Sequence, residues 1–594
     1  MFKKSGMKKI TVLFLTITLT VTAVNGCMGI KKEQEAFDAF IERQFVETME
    51  DNWLNAHIFM ENPENFGVDI TKVPVEISPE INDAYFKKID EENQACREAF
   101  EAFNRSKLTD DQKDVYDTFA YELKNVLDGS SEALKYISFD FATLSGSYTQ
   151  IPTVLADLCL RNEEDIKALI KIVASVKPYL DSSADFLFEQ EAHGTLMIDF
   201  DEIRSYCKKV VDAGMDGSTL ASMQENIDAV DISRELKEGY KKQVAEVYES
   251  FYIPAYENIL SVLDRLDPSK NNTCGLASIK NGKEAYEVMF RSATGTSKTI
   301  EEVQKMLENR LFGSLEDLQR TALGDTDSYM AWVNGEITTG YEDFDSMLED
   351  LSTAMKGDFP EIEDVQYDIR PLPKDMENSG VEAYYNIPAL DHSGNQKIRV
   401  NTGEDTLDIG SLSTFATVAH EGFPGHMYQY NYCYDLDITN WQKTVAASDG
   451  FVEGYATYVQ QYALKYLEDV DEDAIKIEQL MNDINFMAVA LSDIGIHYEG
   501  WNEEELADYL TSVGLNGEAS KDLYQQLLVN PAVFLSYYVG YAEILELKEN
   551  AKKALGDQFN DQAFHEALLK DGGAIFDVVS KNINAYIKET LKNK

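Results

Sequence analysis

Proline is scarce in this chain, thirteen in 594 residues, and that scarcity is what most constrains its fold. A proline removes a backbone donor and clashes with the turn before it, so long proline-free spans leave helix as the simplest way to satisfy the backbone. Apolar residues recur at helical spacing, with acidic residues between them, over 33–50, 109–127, 163–191, 233–265, 299–323, 341–355, 467–498, 541–555 and 561–569. That period predicts amphipathic helices and a mostly α fold. A hydrophobic fraction of 44%, with 32 Tyr and 29 Phe, is ample for a large core. Charge runs such as Glu468 to Asp473 read as solvated faces, and no fixed-period repeat or low-complexity linker divides the chain.

The helical pattern lapses between Val365 and Asn401. Ala383-Tyr384-Tyr385-Asn386-Ile387-Pro388 and Lys397-Ile398-Arg399-Val400-Asn401 read as strands around the turn Asp391-His392-Ser393-Gly394. A helix then rises through Leu412, Phe415, Ala416 and Ala419 and delivers His420 and Glu421. A strand edge just ahead of such a helix offers backbone groups to an extended peptide by strand addition, with Tyr384, Tyr385 and Asn401 as the candidate residues.

Histidine is rarer still, seven in the chain, yet two flank His420-Glu421-Gly422-Phe423-Pro424-Gly425-His426, and Glu453 follows in Glu453-Gly454-Tyr455-Ala456. Two imidazoles and a carboxylate from a downstream helix form the ligand set of a catalytic zinc. A glutamate directly after the first histidine is where zinc peptidases place their general base. The spacing demands a bend, because six residues on an ideal helix leave the two rings about 120° apart and about 9 Å along the axis. Pro424 supplies the interruption, and Gly425 can then adopt a positive φ that other residues resist. The segment from Gly422 to Gly425 therefore reads as a bulge that returns His426 to the side of His420. His57, His193 and His392 lack partners in sequence and read as structural or surface residues.

The N-terminus has the layout of a secretion signal. Lys3, Lys4, Lys8 and Lys9 precede an uncharged, mostly apolar run from Ile10 to Val24, short for a membrane span and suited to a signal peptide. Val24-Asn25-Gly26-Cys27 resembles a bacterial lipobox with Cys27 as the lipidated residue, although Asn25 is an unusual occupant. The expected organisation is a signal peptide over 1–26, a tether over 27–35 and one helical body over 36–594, with an N-terminal half to about 300 and a metal-site half from about 301. Removing residues 1–26, with four Lys and no acids, takes the net charge from −52 to −56. So acidic a surface repels nucleic acid and anionic headgroups. Cys96, Cys159, Cys207, Cys274 and Cys433 are odd in number and without paired spacing. They point to neither a disulfide framework nor a Cys-ligated metal.

Arg370-Pro371-Leu372-Pro373, Ala383-Tyr384-Tyr385, Val400-Asn401-Thr402 and His420-Glu421 with Pro424-Gly425-His426 together resemble the bacterial family known as domain of unknown function 885. Glu453-Gly454-Tyr455-Ala456, Asp493-Ile494-Gly495-Ile496-His497, Tyr537 with Gly540, and Ala563-Phe564-His565 follow in the same order as its later motifs. That family is similar to the helical gluzincin-type metallopeptidases, with thimet oligopeptidase and angiotensin-converting enzyme as relatives by fold. The resemblance implies a large helical ellipsoid with a deep central channel and a small β-sheet next to the metal-site helix. Met427, Val489 and Tyr538 depart from the pattern, where a second His, an Arg and a Lys are usual.

On this reading zinc sits on His420, His426 and Glu453, and Glu421 serves as base. Tyr537, His497 and His565 are the candidate donors to the developing oxyanion. His497 has a competing reading as the helical partner of Asp493, four residues before it. Tyr537 has one as a plain core residue, and His565 lies on an amphipathic helix. The expected enzyme is an extracytoplasmic, lipid-anchored monomer that cleaves short peptides. Two other classes stay open, a surface protein that captures peptides without cleaving them and a zinc hydrolase of non-peptide amides or esters.

Overall fold

Helices with buried apolar stripes build almost all of this molecule, a computed structural model that describes residues 26–372, 381–403 and 407–592. Local chemistry sets their ends. The longest runs from Glu163 to His193: Asn162 accepts from the amides of Glu164 and Asp165, three acids occupy the first turn, and Gly194 closes the helix at φ 71°. Ile300–Gly324 starts in a capping box between Thr299 and Glu302. The stretches expected as helical all contain helix, and 561–569 coincides with Asp561–Leu569. Among the described residues no helix is long and apolar enough to cross a membrane.

The apolar faces meet in three main cores. One is built from residues between Trp53 and Leu266. A second runs from Leu276 to Ile583 and takes in Met197. A smaller one joins Phe37, Phe40, Phe100 and Phe119 to Trp441. Residues 1–25, which carry the expected signal peptide, lie outside the described residues, as does the side chain of Cys27. The first helix, Gly26–Glu50, takes in the segment expected as a tether. There Glu33 pairs with Lys107, and Gln34 donates to the Lys107 carbonyl at 2.9 Å.

The lapse in helical pattern is a three-stranded sheet. β1 (Tyr367–Pro371), β2 (Ala383–Asn386) and β3 (Gln396–Val400) lie in the order β1-β3-β2. β1 runs parallel to β3 with Tyr367 opposite Gln396, and β2 runs antiparallel with Tyr385 opposite Ile398. Gln396, Ile398 and Val400 alternate inward along β3. The N-terminal bundle reaches the sheet through Asp157. This carboxylate accepts from the Tyr384 hydroxyl and from Arg399 Nη2 at 2.6 Å.

Candidate metal centre

The helix Leu412–Glu421 starts at Ser411, whose hydroxyl accepts from the Thr414 amide, and it buries Phe415, Ala416, Val418 and Ala419. Its last bond runs from the Gly422 amide to the Val418 carbonyl at 2.8 Å. The chain then turns through Gly422 to Gly425, with a cis bond between Phe423 and Pro424, and a new helix starts at His426 and runs to Asp435. The interruption predicted from six-residue spacing is therefore present, centred on Pro424. Gly425 does not use its freedom to take a positive φ, since its φ is −77°. Glycine is required there by closeness instead: a Cβ would lie 1.9 Å from the His420 carbonyl oxygen and 2.3 Å from that of Ala419. The turn folds tightly onto the helix end, and the rings of His420 and His426 come to 4.8 Å at an interplanar angle of 85°.

Glu453 arrives on a third helix, Asp449–Ala463. Gly454 lets this helix touch Leu535–Leu555 backbone to backbone, because a Cβ on Gly454 would lie 2.5 Å from the Gly540 Cα. The Tyr455 hydroxyl donates to the Pro424 carbonyl at 3.0 Å and ties the same helix to the turn. Glu453 Oε2 then stands 3.6 Å from His420 Nε2 and 3.4 Å from His426 Nε2. Two atoms each about 2.1 Å from one tetrahedral zinc would be about 3.4 Å apart. His426 Nε2 and Glu453 Oε2 are buried with no hydrogen-bond partner, a costly state that a shared cation would relieve. The donor set fits a divalent metal.

A second carboxylate faces the pair. Glu421 Oε1 lies 4.0 Å from His420 Nε2, and its Oε2 accepts from the Tyr385 amide at 2.7 Å. His420, Glu421 and His426 each hold one ligand-type atom within 4.8 Å of the others. His420 and Glu421 are each 8% exposed, Glu453 5% and His426 1%, so all four residues of the centre are buried. Burial opposes charge on Glu453, but the two imidazoles outweigh it and hold the carboxyl down at about 2. Burial likewise opposes charge on His420, and the carboxylates of Glu453 and Glu421 reverse that and raise it. The Tyr537 ring stacks on His420 at 6.2 Å. The negative charge of Glu453, then burial, pushes its phenol up.

Other expected residues are engaged elsewhere. The His497 ring accepts from the Leu276 amide at 3.3 Å and faces the Leu527 carbonyl at 3.0 Å. Burial lowers it to about 4. Asp493 is not its helical partner, since that carboxylate accepts from the Ala532 amide and the Tyr286 hydroxyl. His565 bonds the Asp358 carbonyl at 2.6 Å and the Tyr458 hydroxyl at 2.8 Å, with burial lowering it to about 3. Both rings have both nitrogens engaged by structural partners, which leaves neither free to donate to an oxyanion. The strand edge is also altered, because the Tyr385 N–H is taken by Glu421. The Tyr385 hydroxyl goes to Gln396, and Asn401 Nδ2 donates to the Val381 carbonyl at 2.9 Å. Sequence reading missed two residues altogether. Gln460 Oε1 is 2.7 Å from His420 Nδ1, and Gln429 Oε1 is 3.4 Å from His426 Nδ1. The available signal was spacing, three residues after His426 and seven after Glu453.

The sequence pattern of a bacterial protein family of unknown function, DUF885, matches residues 76–583, which include every residue of this centre. The chain belongs to DUF885. Among solved structures, this DUF885 chain is similar to a candidate lipoprotein from Colwellia psychrerythraea, at 16% identity and TM-score 0.79, over 94% of this chain and 99% of that one. It is also similar to a candidate lipoprotein of unknown function from Shewanella oneidensis, at 13% identity and TM-score 0.62, over 94% and 99%. Both likenesses show a shared fold. A candidate oligoendopeptidase F from Bacillus anthracis aligns over 97% of each chain at 12% identity, with a TM-score of 0.33 that is too low to argue from. No curated protein matches this DUF885 chain.

Proposed function

We propose that this protein is a metal-dependent hydrolase, with zinc as the metal and short peptides as substrates. One observation carries the reading: Glu453 Oε2 lies 3.6 Å from His420 Nε2 and 3.4 Å from His426 Nε2, and it and His426 Nε2 are buried without a hydrogen-bond partner. Two imidazoles and one carboxylate suit zinc. Bound there, the metal supplies a Lewis acid that polarises a carbonyl and acidifies a water. Glu453 is the ligand rather than Glu421, because one of its oxygens lies within 3.6 Å of both Nε2 atoms, whereas Glu421 comes no nearer than 4.0 Å to His420 Nε2 and its other oxygen is held by the Tyr385 amide. Glu421 keeps one oxygen on the Tyr385 amide and turns the other toward the centre. It is placed to take a proton from water and hand it to the leaving amine. Tyr537, held protonated beside Glu453, is the donor for the developing oxyanion. On this proposal peptides reach the centre by the channel that the family resemblance implies. The same proposal puts the chain outside the cell on a lipid at Cys27, in keeping with the two lipoprotein-like neighbours.

The test is elemental analysis of the purified chain after zinc reconstitution, coupled to digestion of a peptide mixture with and without chelator. About one zinc per chain and chelator-sensitive cleavage are expected. No metal and no cleavage would overturn the reading. Zinc and peptide binding without cleavage would favour a capture protein.

A further inference from the structure

We infer that Gln460 is a positioning residue that selects the metal-binding tautomer of His420 through a neutral acceptor, with Gln429 acting more weakly on His426. The inference rests on the metal centre proposed above. An imidazole that gives its Nδ1–H to an acceptor leaves Nε2 with a bare lone pair. On both rings Nδ1 faces a glutamine carbonyl oxygen, at 2.7 Å for His420 and 3.4 Å for His426, while both Nε2 atoms face Glu453 Oε2. The longer contact is the weaker one. Seven residues on a helix are about 20° short of two full turns, so Gln460 lies on the same face as Glu453. One helix thereby supplies both a carboxylate to the centre and the brace for the opposing imidazole.

The acceptor's charge matters as much as its place. Histidine ligands commonly lean on a carboxylate, which raises the basicity of the ring and tightens the metal. Here the centre already holds Glu421 and Glu453, and Gln460 orients His420 without adding a third negative charge. A neutral brace preserves the positive charge that a bound metal brings to a carbonyl. Gln460 therefore trades some metal affinity for Lewis acidity.

Gln460→Met and Gln460→Glu separate this role from mere packing. Zinc affinity is measured by competition with a chromophoric chelator. Turnover per bound zinc is measured on a peptide that the unaltered chain cleaves. Loss of the acceptor in Gln460→Met is expected to weaken zinc about 10–100-fold. Gln460→Glu is expected to bind zinc at least as tightly as the unaltered chain while turning over more slowly. Nitrogen-15 NMR of the zinc-loaded, unaltered chain is expected to show His420 protonated at Nδ1, a readout that needs no variant to fold. Unchanged zinc affinity in Gln460→Met, or a proton on Nε2 of His420, would overturn this inference alone. Failure of the unaltered chain to bind zinc would overturn it together with the proposed function.

Discussion

Two glutamates share the centre, and their different anchors separate their roles. Glu453 presents an unpartnered oxygen to both imidazoles, whereas Glu421 is tied back to β2 by the Tyr385 amide. Glu421→Gln is therefore expected to abolish hydrolysis with zinc content nearly intact. Glu453→Gln should lower zinc occupancy and activity together. Elemental analysis of the two variants side by side checks this, and equal metal loss would reverse the assignment. His420 and His426 were legible as candidates because histidine is rare in this chain, and Glu421 and Glu453 because of where they stand relative to that pair. Gln429 and Gln460 were not, since glutamine is common on helices and its meaning here depends on the neighbouring ring. His497 and His565 misled for the opposite reason: a histidine in a shared motif looks chemical until its two nitrogens are found on backbone and tyrosine partners.

At the scale of elements, the centre depends on how closely helices approach. A Cβ on Gly540 would lie 1.8 Å from the Gly450 carbonyl oxygen, a backbone atom that cannot swing away. Gly540→Ala must push apart the helices that carry Glu453 and Tyr537. A loss of about 1–3 kcal/mol is expected, with weakened zinc binding because Glu453 moves with its helix. Gly313 is the control, an exposed position inside Ile300–Gly324 with nothing within 4 Å of a new Cβ. Gly313→Ala should raise stability by about 0.5–1 kcal/mol. Thermal melts and zinc titrations of both variants decide the matter. The long helices were legible from period alone, and β2 and β3 from their turn. Helices such as Phe200–Ala213 and Ser520–Val529 were not marked in advance, and neither was β1. β1 is only half-buried and pairs with a strand about thirty residues away, so no local pattern announces it.

Across the whole molecule, three histidines are buried in ways that resist protonation. Burial lowers His57 and His565 to about 3 and His497 to about 4. A group depressed in the fold contributes stability that is complete above its unfolded value near 6.5 and is lost as pH falls toward its folded value. Each histidine then costs up to about 1.4 kcal/mol per pH unit between those limits. Asp493, which burial pushes up to about 7, acts in the opposite sense, as does His420. The sign of one histidine is best isolated by substitution. His497→Gln is expected to lower stability at pH 7 yet to shrink the further loss between pH 7 and pH 5 by about 2 kcal/mol. Chemical denaturation at the two pH values tests this, and an undiminished loss would mean that His497 is already charged in the fold.

The link from Asp157 to Tyr384 and Arg399 gives the centre a history as well as a shape. Arg399 follows Asp157 by 242 positions, an interval of roughly 10–50 s at a synthesis rate of about 5–20 residues per second. Throughout that time the Asp157 carboxylate has been made and its cation has not. The face of the N-terminal helices that meets the sheet is therefore completed only by residues from far along the chain.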